Sequence, residues 1–152
     1  MAHADPDLFL NRPCIVTPLE TSEESSIIRI LQFWKSLGAV TCVKTPEEHD
    51  EIVAHISHLP HLIASSLCHF LDQKPEDWIQ LASSGLMDTT RIAAGDPAMW
   101  KAIIESNREE IQRALSKYQD DLQRIQSAIT NGNMAEVVSL LEKGKKFRNR
   151  LD

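Results

Sequence analysis

The stretch "HDEIVAHISHLPHL" sets His49, His55, His58 and His61 around Pro60 in an otherwise apolar, helical pattern. An imidazole can donate or accept a hydrogen bond, carry a proton near neutral pH or bind a metal ion. Three readings are therefore open. The rings can be structural, satisfied by backbone carbonyls or lying on a polar face. They can hold a metal, but each step of three residues turns a ring by about 60°, so His55, His58 and His61 fan over about 120°. No cysteine or carboxylate stands beside them at a customary ligand spacing, and no metal ligand is assigned. In the third reading one or two of them line a cleft and donate hydrogen bonds to a polar ligand. Pro60 favours this reading. It removes one backbone hydrogen bond, frees the carbonyl of Ile56 and bends the helix, setting His61 off from the turn before it. A second cluster, "GLMDTTRIAAGDPAMW", points the same way. Arg91, flanked by Thr90, Ile92, Ala93 and Ala94, is not part of a charged solvent face. It is either tied to a neighbour such as Asp88 or aimed at an anion, with Trp100 packed behind it.

The elements that must position these residues follow from composition and pattern. A chain of 152 residues makes one domain, or one domain and a fragment of another. With 42% hydrophobic and 25% charged residues it is expected to be soluble and globular. A net charge of −6 argues against general nucleic-acid binding. Cys14, Cys42 and Cys68 are scattered, as free thiols in a reducing compartment would be. There is no apolar signal region and no run long enough to span a membrane, so a cytoplasmic location is expected. "PCIVTP" reads as a strand, and Thr21 with Glu24 as a capping box opening a helix. Ile27, Ile30, Leu31, Trp34 and Leu37 share one face of it, Gly38 ends it, and "AVTCV" is a second strand. Two strands and a helix do not make a stable sheet alone. Residues 1–45 therefore read as the end of a larger α/β domain, and residues 46–152 as an all-helical one.

Within that helical part, Thr45, Pro46 and Glu48 start the histidine-bearing helix, which runs to about residue 71. A short helix follows Pro75, and a turn-rich connection holds a single helical turn near Arg91. Asp96 and Pro97 cap one long helix over 97–130. Its apolar residues, Ile104, Ile111, Leu115, Tyr118, Leu122, Ile125 and Ile129, form a heptad-like seam. At 1.5 Å per residue that helix would be about 50 Å long, more than a small domain can cover. The seam is expected to pack against a second copy. Asn133 and Glu136 open a last helix, ending in the basic "KGKKFRNR".

Together, "HDEIVAHISHLPH" and "SGLMDTTRIAAGDPAMWKAIIESN" resemble the C-terminal helical domain of the prephenate dehydrogenase family. The family pattern is approximately H-D-x(6)-S-H-L-P-H and then G-[FL]-x-D-x-T-R-[IL]-A-x(3)-P-x-[ML]-W. "DLFLNRPCIVTP" also resembles the closing strand of the family's nucleotide-binding domain. The resemblance implies a mainly α fold, a 6-phosphogluconate-dehydrogenase-C-terminal-like dimerisation domain preceded by a βαβ remnant of a Rossmann-type domain. It implies NAD- or NADP-dependent oxidative decarboxylation of prephenate to 4-hydroxyphenylpyruvate in tyrosine biosynthesis, or the arogenate counterpart. A homodimer through helix 97–130 and inhibition by tyrosine are further implications. Arg91 falls on the family's substrate-carboxylate arginine and His61 on the histidine that faces the substrate. His49 also matches and shapes the site, with Asp88, Trp100, Ser57 and His58 in support. Two family features are not in this sequence. There is no G-x-G-x-x-G fingerprint, and the catalytic histidine of the H-P-[MI]-A-G motif is expected upstream, since His3 sits in no such motif. The chain is thus expected to bind no cofactor and to be inactive alone. It reads as a C-terminal piece or stand-alone relic of the enzyme, with Met1 an added or fortuitous start. The competing reading is a non-catalytic module that dimerises or senses tyrosine.

Overall fold

A computed structural model describes residues 5–151; Met1 and His3 lie outside them. β1 (Pro13–Val16) and β2 (Val40–Val43) pair in parallel, Pro13 opposite Val40 and Val16 opposite Val43. Parallel neighbours need a crossover, and α1 (Glu24–Ser36) supplies it. Gly38, at φ +82°, takes the left-handed position that lets the chain leave α1 for β2. The capping box expected at Thr21 does not form: Glu23 is the N-cap and offers no side-chain bond. Residues 19–22 are drawn into a turn instead, where the Ser22 hydroxyl accepts from the Leu19 N–H at 3.0 Å. Local serine bonding has won over the cap. Two strands also cover only part of the helix. Ile27, Leu31 and Trp34 are half-buried, while Ile30 and Leu37 of the same predicted face are exposed.

The capping box at Thr45 does form. Its hydroxyl accepts from the Glu48 N–H at 3.2 Å, and the Glu48 carboxylate accepts from the Thr45 N–H at 2.9 Å. That backbone bond, reinforced by Lys44, holds the Glu48 carboxyl below its ordinary pKa. It opens α2 (Pro46–Val53), which runs into a five-residue π-turn, Ala54–His58, and on into α3 (Leu59–Asp72). The sequence indicated a bend at Pro60. The structure widens the turn just ahead of the proline instead, and the Leu59 N–H reaches back five residues to the Ala54 carbonyl. The wider turn relieves the clash a proline ring makes with the preceding turn of an α-helix.

After α3 comes a 3-10 helix (Glu76–Leu81), then α4 (Ser84–Thr90) and a 3-10 turn (Arg91–Ala94). A turn-rich connection was expected where α4 stands. Thr89 and Thr90 fit the helix by bonding their hydroxyls to the Gly85 and Leu86 carbonyls, at 2.8 and 2.7 Å. The larger correction concerns residues 97–130, which form two helices and not one. α5 (Pro97–Ser106), capped by Asp96, ends where Asn107 takes φ −127° and ψ 37°; α6 (Arg108–Thr130) starts anew. α7 (Met134–Arg148) follows, with Asn133 accepting from the Glu136 N–H as its N-cap.

The core lies where the π-turn meets α6. Ala54, Ile111 and Ala114 are buried there, with Leu59, Leu62, Ile104 and Leu115 packed around them. Small residues at 54 and 114 let the two backbones approach closely. The seam of α6 is therefore divided. Ile111, expected to face water in a monomer, is only 3% exposed within the chain, whereas Leu122, Ile125 and Ile129 stand open. Leu141 of α7 shares a groove with Ile125 and is exposed, as is Val138. Among the described residues no helix is long and apolar enough to cross a membrane, and the three cysteines are free thiols.

Candidate functional site

Just ahead of the π-turn, side chains bond to two carbonyls of α2. His55 Nδ1–H donates to the Glu51 carbonyl at 2.8 Å. Asn107 Nδ2–H donates to the Asp50 carbonyl, also at 2.8 Å. The same Nδ2 lies 3.4 Å from His58 Nδ1. His58 is half-buried, and that burial lowers its pKa; Asp50 opposes the shift and His49 adds to it. His49 Nδ1 is 2.9 Å from Asp50 Oδ1.

His58 stands edge-on to Trp100, ring centroids 6.2 Å apart. His61, only 6% exposed, lies flat on the same tryptophan at 3.5 Å with 8° between planes. Gly95 closes the stack. A Cβ at that position would come within 2.5 Å of Trp100 Nε1 and 3.0 Å of His61 Cε1. Its φ of −65° suits any residue, so space and not backbone demands the glycine. The stack walls an open cleft of about 530 Å³, with Ser65, Ala93 and Lys101 also on its lining. Among the described residues no hydrogen bond engages the His61 ring nitrogens. Yet no polar side-chain atom here is both fully buried and unpartnered, so those nitrogens remain reachable.

His58, His61 and Trp100 are thus in direct contact, and His49 joins them through Asp50 and Asn107. Arg91 opens the 3-10 turn that packs on α3, and its side chain is exposed. Among the described residues its guanidinium has no ion pair. Asp88, exposed on α4, does not reach it, and Ser57 is exposed on the π-turn. No three metal-binding side chains converge among the described residues. Gly95 and Asn107 were not singled out from sequence. Asn107 carried a faint signal, since asparagine in mid-helix is a poor helix former. Gly95 carried none, because glycine before an Asp-Pro helix start is ordinary. Chemically, the cleft sets an aromatic wall beside a reachable imidazole, while Arg91 is not on its lining; the turn that Arg91 opens reaches the cleft through Ala93.

Helices packed around a histidine–tryptophan cleft, behind a parallel βαβ unit, define a mainly α domain. The family description "Prephenate dehydrogenase, dimerization domain" fits residues 45–143. The chain belongs to the prephenate dehydrogenase family. It is 31% identical to prephenate dehydrogenase of Lactococcus lactis subsp. cremoris over 152 residues, covering 98% of this chain and 41% of that protein. Prephenate dehydrogenase from A. aeolicus, solved in complex with hydroxyphenyl propionate and NAD+, superposes with a TM-score of 0.89 at 28% identity. That match covers 96% of this chain and 52% of the other. Synechocystis arogenate dehydrogenase gives a TM-score of 0.86, also at 28% identity, over 96% of this chain and 54% of its own. The chain spans half or less of the length of the curated relatives it matches most strongly.

Proposed function

We propose that this chain is the substrate-binding and dimerising part of a dehydrogenase that oxidatively decarboxylates a cyclohexadienyl acid, prephenate or its amino analogue arogenate. The observation that carries the reading is the His61–Trp100 stack, walling a cleft beside the turn that bears the unpaired Arg91. Both substrates hold a flat, six-membered ring with a carboxylate. Trp100 offers the ring a wall, Arg91 a planar fork of donors for a carboxylate, and His61 a hydrogen bond from a ring already fixed in place. Loss of carbon dioxide and hydride then leaves an aromatic ring.

The glycines are Gly38, Gly85, Gly95, Gly132 and Gly144, and the passage from β1 to α1 contains none. These residues do not build a cradle for a dinucleotide pyrophosphate. In this reading the nicotinamide and the acceptor of the hydroxyl proton belong to the rest of the enzyme. The share of the reaction assigned to this chain is to hold the acid and to assemble a homodimer through the open face of α6 and α7. Residues 1–45 are then the edge of the nucleotide-binding domain.

Steady-state kinetics of the whole enzyme test the reading, with prephenate and arogenate assayed side by side. Removing one partner of a desolvated, charge-assisted contact costs about 2–4 kcal/mol. Arg91→Ala should therefore weaken the preferred acid about 30-fold or more, with the KM for NAD+ or NADP+ unchanged. His61→Ala should cost less, about 1–2 kcal/mol for a single hydrogen bond to a charged group. Unaltered kinetics with both acids in Arg91→Ala would remove the assignment.

A further inference from the structure

Asparagine at a helix start ordinarily turns its side chain onto its own helix, accepting a hydrogen bond from the first turn. Asn107 occupies that position before α6 and makes no such bond. Its side chain is 7% exposed and crosses to the histidine helix, fifty-seven residues away in sequence. A carbonyl only accepts, so the atom 2.8 Å from the Asp50 oxygen must be the amide nitrogen. The orientation of the carboxamide is therefore fixed by chemistry. Its second N–H is then the one available to His58 Nδ1, 3.4 Å from the same nitrogen. An Nδ1 that receives a hydrogen bond carries no proton of its own.

We propose that Asn107 is a positioning residue of the cleft: it ties the α5–α6 junction to the π-turn and sets His58 as the neutral imidazole with its proton on Nε2. His58 in that form stands edge-on to Trp100, and Trp100 carries His61. A protonated His58, or the opposite tautomer, would place two N–H groups against each other at the junction and push the ring off the tryptophan. The break between α5 and α6 is what brings the carboxamide to this spot. The functional weight of the arrangement rests on the reading of the cleft as the acid-binding site, but the tautomer does not.

Long-range proton–nitrogen NMR of the wild-type chain reads the tautomer directly, with no substrate and no cofactor. A bare Nδ1 and a protonated Nε2 on His58 at pH 7.5 are expected; a protonated Nδ1, or an even mixture, overturns the proposal. The second arm is Asn107→Asp, which keeps the shape, removes the donor to the Asp50 carbonyl and offers His58 an acceptor. His58 should then carry its proton on Nδ1 and donate it to the new carboxylate, and the pH at which it titrates should rise by about one, a tenfold gain in proton affinity. The titratable groups that act on that ring are Asp50 and His49 of α2, with Glu47, Glu105, Arg108, Glu109 and Glu110 lining the opening beside Asp50 and Asn107; none of them is altered by the substitution. An unchanged titration of His58 in a folded Asn107→Asp chain also overturns the proposal. In the whole enzyme the same variant should raise the KM for the cyclohexadienyl acid about tenfold, leaving the KM for the nucleotide alone. If the NMR arms hold and both KM values stay fixed, the positioning of His58 stands and the reading of the cleft as the acid site falls.

Discussion

Gly95→Ala is the sharpest single probe of the stack. Two opposing terms decide its sign. At a backbone conformation that alanine accepts, Gly→Ala stabilises by about 0.4–1 kcal/mol through the unfolded chain. The φ of −65° at position 95 meets that condition. Against it stands the new methyl, 2.5 Å from Trp100 Nε1 and 3.0 Å from Trp100 Cδ1 and His61 Cε1. Unstrained heavy-atom contacts lie near 3.5–4.0 Å, so the indole must retreat by about 1 Å. Overpacking of this kind costs about 1–3 kcal/mol, and the indole is braced on its other contacts by His58 and His61. The net expectation is a destabilisation of about 1–2 kcal/mol, with the clash outweighing the entropy gain. Urea unfolding followed by circular dichroism measures it. Trp100 emission, read in a Trp34→Phe, Trp78→Phe background, should shift to the red as the ring leaves its stack. A variant as stable as wild type or more so, with unchanged emission, would show that Gly95 does not hold the rings together.

Acid should weaken the fold in two steps of the same sign. The neutral form of His58 is favoured by folding, so its contribution is full above its ordinary value near 6.5 and is lost as pH falls below it. Glu48 contributes above its ordinary 4.5 and loses that contribution as pH falls through its lowered folded value. Urea midpoints between pH 7.5 and 5.5 should therefore decline, and less steeply in His58→Gln. Sedimentation equilibrium at micromolar concentration should give twice the 17.1 kDa of the chain, with Leu122→Asp and Ile129→Asp reducing it to one; a wild-type monomer would refute the dimer. The isolated chain should produce no reduced nucleotide from prephenate with NAD+ or NADP+, by absorbance at the reduced-cofactor band. Activity above background would refute the placement of the cofactor and proton acceptor elsewhere.

Much of the helical framework was legible because its signals are local. Thr45 with Glu48, Asp96 with Pro97, and Asn133 with Glu136 each mark a helix start that the structure keeps. Thr21 with Glu24 carries the same signature and fails, because Ser22 satisfies the backbone of Leu19 first. What escaped was long-range. Nothing adjacent to Asn107 shows that its partner is the Asp50 carbonyl, so residues 97–130 read as one helix. Ile111 belonged to the seam by spacing, and only the approach of Ala54 shows that half of that seam is filled from within. At the cleft, His61 and Trp100 were nominated separately. Their stacking, and the vacancy for a side chain at Gly95 that permits it, depends on how the 3-10 turn lies on α3.

The π-turn also acts as a phase shift. Counted at about 100° per residue along an unbroken α-helix, His58 would point about 180° from His49, and His61 about 120°. Rings so dispersed could not share one site. A turn closed by a bond to the fifth residue back contains one residue more than an α-turn, as the Leu59–Ala54 bond does. The rest of the helix is thereby set back by one position, and the same count places His58 about 80° and His61 about 20° from His49. One extra residue gathers the three rings into a single quadrant. Deleting Ile56 or Ser57 would restore a regular helix and, by the same count, keep the three rings in that quadrant; the full-length sequence wound as an unbroken α-helix would scatter them around its circumference.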